Sequence, residues 1–253
     1  MSLSRREFAR LMGVAGIAGL LPPDLRASDD RLSQRYQLPG RGNVRLLHMT
    51  DCHAQLLPVY FREPHMNLGM GPAAGQPPHL VGDKLLHYFS VRPGSLEAHA
   101  LTHLDFNEAA RRYGKVGGFA HLKTLIDQLR HSFGSENTLL LDGGDTWQGS
   151  GTAYKTRGQD MVRAANALGV DLMTGHWEFT YHQQELLQNL ADFKGEFLAH
   201  NVFVTEEAFF NKALDYLHDP DAGQVFRPYS IRRLGGVRVA TIGQAFPRTK
   251  ITN

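Results

Sequence analysis

The sequence predicts an α/β fold with a mainly parallel sheet and helices on its faces. Five short apolar segments have the length and composition of strands, and helical patterns separate several of them. The strand-like segments are NVRLLHMT (43–50), NTLLLDGGD (137–145), GVDLMTGH (169–176), EFLAHNV (196–202) and GVRVATIG (236–243). Strands that alternate with helices are typical of parallel sheets, whose ligand sites form beyond the carboxyl ends of the strands.

Three helices are predicted between these strands. Residues 117–131 repeat apolar side chains at the three-to-four spacing of one helix face. Residues 159–169 end at Gly169, a residue type that commonly follows the last turn of a helix. Residues 182–193 have the third helical pattern. The segment 54–116 is rich in proline and glycine, with little periodicity before about residue 81, and we interpret it as a long insertion.

The composition excludes several classes of protein. The 253 residues are 42% hydrophobic and 21% charged, which is sufficient for one sizeable core. A net charge of +2 does not indicate a nucleic-acid partner, and a single cysteine excludes an internal disulfide framework. The body of the chain has no apolar run of 18 or more residues, so we expect no membrane span after signal removal.

The first 28 residues predict a targeting segment. Arg5 and Arg6 stand in an S-R-R-x-F arrangement, and a short apolar run follows from Leu11 to Leu21 before two prolines. This pattern resembles a twin-arginine signal, which exports folded proteins. We therefore expect a periplasmic protein whose mature body begins near residue 29.

Polar residues with metal-binding chemistry follow three of the predicted strands. Asp51 and His53 form a D-x-H pair, Asp145 lies in the turn DGGDTWQGSG (142–151), and His176 lies in MTGHWEFTY (173–181). Side chains at i and i+2 share one side of an extended segment, so Asp51 and His53 can bind one ion together. Carboxylates and imidazoles suit manganese, zinc or iron, and the sequence does not choose among them.

The order of these blocks resembles dinuclear metallophosphoesterases, in which D-x-H is followed by G-D and then G-N-H-E. The segments TDCHAQLLP, GGFAHLKTLI, DGGDTWQG and ALGVDLMTGHWEF are similar to the 5′-nucleotidase family. The resemblance implies a layered α/β/β/α domain of the calcineurin-like superfamily. It also implies that Asp145 bridges two metal ions, that Asp51 and His53 bind one, and that His176 helps to bind the other.

One departure from that pattern narrows the resemblance. The family usually has Asn-His in the third block, where the histidine is the acid that assists the leaving group, whereas this chain has His176 and Trp177. With LPVYFREPHMNLG, PPHLVGDKLL, GHWEFTY and IGQAFP, the change resembles the SoxB family of sulfur-oxidation hydrolases. That resemblance implies two manganese ions and release of sulfate from a cysteine-bound thiosulfonate on the carrier SoxYZ. Trp177 and Glu178 would then occupy catalytic positions.

Three residues are weaker candidates for contact with the substrate: Cys52, Arg62 and His200. As the middle residue of D-x-H, Cys52 should point away from Asp51 and His53. We interpret it as a buried bystander, with a substrate-sulfur or redox contact, a metal ligand or a nucleophile as the alternatives.

The family pattern also includes two later histidines, usually in a G-H-x-H-like block, and a C-terminal domain. Neither is present in residues 1–253, so we expect an N-terminal part of a longer enzyme that is inactive by itself. Two other functions stay open. One is a periplasmic 5′-nucleotidase or cyclic-nucleotide phosphodiesterase, and the other is a non-catalytic binding module.

Overall fold

The computed structural model describes residues 42–60, 69–205 and 217–247. The described residues divide into two compact units, an insert unit within Leu57–Leu125 and a sheet unit formed by Gly40–Leu56 and Ile126–Asn253. The predicted signal segment and Arg62 lie outside the described residues.

The sheet unit contains a four-stranded parallel sheet with the strand order β1-β2-β3-β4. Its strands are β1 (Arg45–Met49), β2 (Thr138–Asp142), β3 (Leu172–Met173) and β4 (Glu196–Phe197). All four were predicted as strands. Each is shorter than its apolar segment because the chain turns away from the sheet at the polar residues that end the segment. These turns carry the candidate ligands.

The fifth predicted strand lies in a second sheet. Val237–Ile242 (β6) pairs antiparallel with Tyr229–Leu234 (β5), a strand that the sequence analysis missed. Gly235 and Gly236 connect them with φ values of 52° and 81°. Positive φ at both central positions is what a two-residue type I′ hairpin turn requires, and glycine adopts it without a steric penalty.

A buried leucine cluster joins the two sheets. It consists of Leu139 from β2, Leu172 from β3, Leu198 after β4 and Leu234 from β5. Val44, Leu141 and Val239 pack against it. Fully burying a leucine side chain stabilises a fold by about 1.5–3 kcal/mol, so this cluster fixes one sheet on the other. Two facing sheets with helices confirm the predicted layered α/β architecture.

Seven α-helices are present among the described residues. They are α1 (Gly82–Phe89), α2 (Leu96–Leu101), α3 (Phe106–Tyr113), α4 (Phe119–Phe133), α5 (Gly151–Thr156), α6 (Gln159–Leu168) and α7 (Gln183–Asp192). Helices α4, α6 and α7 begin and end within two residues of the predicted bounds. Gly169 ends α6 at φ 74°, and its N–H donates to Ala165 and Asn166, as predicted for a glycine C-terminus.

The insert unit contains α1, α2, α3 and the start of α4. Most of the predicted insert, 54–116, falls in this unit. Helix α2 begins at Ser95, whose hydroxyl accepts the N–H of Ala98 and so caps the helix. Across the part of the chain that the structure describes, no helix has the length and apolar composition needed to cross a bilayer.

Candidate metal centre

The four predicted ligand side chains converge at one edge of the sheet unit. Asp51 and His53 follow β1, Asp145 follows β2 and His176 follows β3, and neighbouring parallel strands end at the same edge. The Oδ2 atom of Asp145 lies 3.4 Å from His53 Nε2 and 3.2 Å from His176 Nδ1. His53 Nε2 lies 4.0 Å from Asp51 Oδ1. Ligand atoms of Asp51, Asp145 and His176 all lie within 4.8 Å of one another.

This spacing fits a cation between the side chains. Nitrogen and oxygen ligands lie about 2.0–2.2 Å from a first-row metal ion, so two ligands of one ion are roughly 3 Å apart. His176 Nδ1 is buried and forms no hydrogen bond, although it faces the Asp145 carboxylate. A buried nitrogen without a hydrogen bond is costly unless it binds something else. A metal ion would satisfy both groups.

The centre is closed on one side and open on the other. Asp145 is 1% exposed, whereas the side chains of Asp51 and His53 are 49% and 59% exposed. A substrate can therefore approach from the D-x-H side. The buried carboxylate of Asp145 lies between the two imidazoles, where it could bind ions on both sides.

Three of the four ligands have left-handed backbone conformations. The φ values are 53° at Asp51, 48° at His53 and 56° at Asp145. Such conformations cost non-glycine residues of the order of 1–3 kcal/mol each, and they cluster where function requires a particular side-chain direction. Histidine gains less from local hydrogen bonds in this conformation than aspartate does, so the position of His53 must be held by its surroundings.

Hydrogen bonds between the ligand loops hold this strained backbone. The N–H of Asp51 donates to Gly144 O at 2.9 Å, and the N–H of His53 donates to Asp145 O at 2.8 Å. A Cβ atom at Gly144 would lie 2.7 Å from His176 N. Gly144 of the DGGD turn must therefore be a glycine, because the loops after β2 and β3 approach each other too closely there for any side chain.

Glu178 connects the loops that follow β2 and β3 through its hydrogen bonds. Its side chain is fully buried. Its carboxylate accepts backbone N–H groups at 2.8–3.1 Å, from Asp145, Thr146, Trp147 and His176. A carboxylate with this many charge-assisted hydrogen bonds positions the backbone. The burial and hydrogen bonds of Glu178 fit a positioning residue for Asp145 and His176, and its predicted catalytic role stays a prediction.

An aromatic cluster borders His176. The Phe246 ring lies 4.3 Å from the imidazole centroid, and Trp177 lies 6.2 Å from the imidazole and 6.4 Å from Phe246. The N–H of Phe246 donates to Gly175 O at 3.0 Å, which fixes the loop that carries this ring. Neither Trp177 nor Phe246 carries a group that releases a proton near neutral pH. Among the described residues, the aromatic cluster therefore supplies no general acid on this side of the centre.

Cys52 is half-buried, and its Sγ atom lies 4.0 Å from Thr50 O. Burial, together with the nearby Asp142 carboxylate, raises the pKa of its thiol to about 11. Burial likewise raises the pKa of Asp142 to about 8, although Asp142 Oδ1 accepts hydrogen bonds from Gly144 N and Thr146 Oγ1. Metals and electrophiles react with thiolates, not thiols, so a neutral Cys52 favours the bystander interpretation.

We predict that Cys52→Ser keeps full metal content and changes turnover by less than about twofold, because a protonated thiol contributes neither charge nor nucleophile. The measurement is metal analysis and steady-state turnover of the complete gene product, with Asp51→Ala as the control that should lose metal. A Cys52→Ser protein that loses metal would show that the thiol is a ligand.

Of the two remaining candidates, Arg62 lies outside the described residues and His200 is not part of this candidate ligand group. His200 is exposed, its N–H donates to Gly243 O at 2.8 Å, and its imidazole does not join the metal-binding group found among the described residues. Two contacts were missed by the sequence analysis. Gln148 donates a hydrogen bond to Asp145 Oδ1, and the Phe246 ring contacts the His176 imidazole at a tilted angle of 34°. Gln148 shares the DGGDTWQG turn with Asp145, which is the signal that could have identified it.

Comparisons with known proteins show relatives along most of the chain. Sulfate thiohydrolase SoxB of Thermus thermophilus is 35% identical with a TM-score of 0.73, over 86% of this chain and 38% of that chain. Rat 5′-nucleotidase is 33% identical over 138 residues, which are 53% of this chain and 22% of the rat protein. NAD nucleotidase (NadN) of Haemophilus influenzae shares the fold. It is 20% identical with a TM-score of 0.50, over 82% of this chain and 27% of that chain. No family model matches.

The chain thus spans less than two thirds of each of these relatives. The region of similarity to the SoxB structure includes most of the described residues. The same fold and the same ordered blocks support a hydrolase with metal-binding acid and histidine side chains.

Proposed function

We propose that this chain belongs to the calcineurin-like metallophosphoesterase superfamily, within which it resembles SoxB. We propose further that it belongs to a hydrolase that releases sulfate from a protein-bound thiosulfonate. The single observation that carries the proposal is the apolar border of His176, formed by Trp177 and Phe246, because the family resemblance places an acid at the position of Trp177. The substrate would be a cysteine-bound thiosulfonate on the carrier SoxYZ, and the compartment would be the periplasm.

The ligand residues support two divalent metal ions, which we propose to be manganese. Asp51 and His53 would bind one ion, His176 the other, and Asp145 would bridge them because its Oδ2 atom faces both imidazoles. When bound, two such ions supply an activated water and a clamp for the oxygens around the attacked atom.

The leaving group decides between a sulfur and a phosphorus substrate. Water attacks the sulfonate sulfur, the S–S bond breaks, and its electron pair stays on the departing sulfur as a persulfide anion. A persulfide leaves without a proton, whereas the alkoxide of a phosphate ester needs one. General acid catalysis is typically worth about 10²–10⁴-fold, so a centre with Trp177 would hydrolyse alkyl phosphate esters such as nucleotides poorly and thiosulfonates well.

The decisive experiment compares two substrates on the complete gene product, exported and loaded with manganese. We expect two metal ions per chain, stoichiometric sulfate release from thiosulfonated carrier, and nucleotide hydrolysis slower by at least about 10²-fold. Similarity to rat 5′-nucleotidase favours the alternative, a periplasmic nucleotidase or cyclic phosphodiesterase. Fast AMP hydrolysis without sulfate release would establish that alternative instead. A binding module would release neither product and would hold metal below stoichiometry.

Trp177→His tests the role of the border directly. An imidazole at this position supplies the missing acid, so we expect phosphate-ester hydrolysis to rise by about 10²-fold or more with unchanged metal content. The measurement is turnover of AMP, whose alkoxide leaving group needs a proton, with Trp177→Phe as the matched control that stays as slow as the unmodified protein. An unchanged rate in a Trp177→His protein with full metal would refute the leaving-group argument, as would loss of the metal itself.

A further inference from the structure

A pocket of about 410 Å³ adjoins the candidate metal centre within the sheet unit. It is lined by Gln148, Tyr154, Arg157, Tyr181, His182 and Glu185, together with Gly149 and Thr180. Gln148 also donates to Asp145 Oδ1. A Cβ atom at Gly149 would lie 2.8 Å from His53 O, so the pocket wall contacts the D-x-H loop as well. A ligand in this pocket would extend directly to the metal ligands.

The pocket has little uncompensated charge. Arg157 Nε lies 3.1 Å from Glu185 Oε1, so the only guanidinium of the lining is paired with the only carboxylate of the lining. The same guanidinium lies 5.0 Å from the centroid of the Tyr154 ring. A phosphate or nucleotide would have to compete with Glu185 for Arg157. The pocket therefore favours a ligand that is polar but uncharged.

The walls are built from the same loops as the centre. Tyr181 donates through its hydroxyl to Trp147 O at 2.7 Å, and Thr180 donates to Trp177 O at 2.7 Å. These bonds fix the floor of the pocket before a ligand arrives. The aromatic side chain of Tyr154, which also lines the pocket, is 68% exposed. Exposed tyrosines supply large contact area at low entropic cost and are enriched in protein-binding surfaces.

We propose that this pocket binds the polypeptide segment that flanks the sulfur-bearing cysteine of the carrier, a proposal that rests on the proposed function. A peptide main chain is the uncharged polar ligand that fits. Its amides can meet the amide of Gln148 and the hydroxyl of Tyr154, and its atoms can pack on the Tyr154–Arg157 pair. The volume lies in the range of about 300–1,000 Å³ that is usual for ligand pockets. Binding there would place the thiosulfonate beside Asp145.

The experiment measures sulfate release from thiosulfonated carrier by the complete, manganese-loaded gene product. Tyr154→Ala and Arg157→Ala are expected to raise KM for the carrier by about fivefold to tenfold with kcat unchanged, as for residues that anchor a protein ligand. The matched controls are Tyr229→Ala and Arg163→Ala, which alter exposed residues of the same types outside the pocket. Tyr154→Phe keeps the ring and should keep most of the affinity. Hydrolysis of free p-nitrophenyl phosphate should not change in any of these proteins.

Each outcome separates the two proposals. Unchanged KM for the carrier in folded, active Tyr154 and Arg157 variants overturns the pocket and leaves the proposed function standing. Equal losses on carrier and on p-nitrophenyl phosphate also overturn it, because the residues would then be structural. If the unmodified protein releases no sulfate, the proposed function itself has failed and the pocket assignment fails with it.

Discussion

Asp145→Asn is expected to abolish stoichiometric metal binding and to lower turnover by at least about 10³-fold. Altering a residue that only supports a ligand typically costs about 10–100-fold in metal affinity or activity, and we propose Asp145 itself as the shared ligand. Its Oδ2 atom lies 3.2 Å and 3.4 Å from the two candidate imidazoles. Asparagine has nearly the same shape but no charge, so the variant removes electrostatic attraction while leaving the turn intact.

The measurement is metal content after dialysis, followed by kcat with manganese in excess. Asp192→Asn is the matched control, because Asp192 is exposed at the end of α7 and takes no part in the centre. A second readout is thermal stability, which should be unchanged without metal and should lose its dependence on added manganese. Stoichiometric metal in Asp145→Asn would refute the bridging assignment.

The sequence predicts most of the candidate ligands because the fold and the site both depend on where the apolar strands end. Asp51, Asp145 and His176 each follow an apolar strand, and parallel neighbouring strands must bring such ends together. Phe246 could not be found in this way. It follows β6, far along the chain, and its approach to His176 depends on a loop path that no local pattern encodes.

The errors in the fold also have physical causes. The missed strand β5 has the sequence YSIRRL. Its two arginines interrupt the alternation of apolar and polar residues by which a half-buried strand is predicted. Only Ser230 and Leu234 of this strand are buried, and the leucine reaches the shared core. The predicted strands ran too long because glycines and aspartates at their ends were counted with the apolar runs. The left-handed φ values at Asp51 and His53 end β1 sooner.

Glu178 illustrates why a motif does not reveal a role. Its neighbour Trp177 is partly exposed and borders His176, whereas Glu178 itself turns inward and is completely buried. The sequence places both residues in one block, and the resemblance assigned both to catalysis. Only the structure shows that the two side chains point in different directions, so that Trp177 can border a substrate whereas Glu178 holds the backbone.

Glu178→Gln is therefore expected to impair folding and metal binding together, rather than the chemical step alone. The carboxylate accepts the N–H groups of Asp145, Thr146, Trp147 and His176. A glutamine amide has one accepting oxygen, so its NH₂ group would face two of these donors. Each buried N–H left unpaired costs about 1–3 kcal/mol, which gives an expected destabilisation of roughly 2–6 kcal/mol.

The measurement is the free energy of unfolding of the complete gene product by denaturant titration, together with manganese affinity. Glu136→Gln is the matched control, since Glu136 is exposed and lies outside the centre. A catalytic acid or base would give the opposite pattern, in which kcat falls while stability and metal affinity stay at the unmodified values. The two roles are thus separable because the backbone N–H groups of Asp145 and His176 need Glu178 whether or not substrate is present. If the Glu178 carboxylate holds the candidate ligands Asp145 and His176 in place, the loss of metal affinity must accompany the loss of stability.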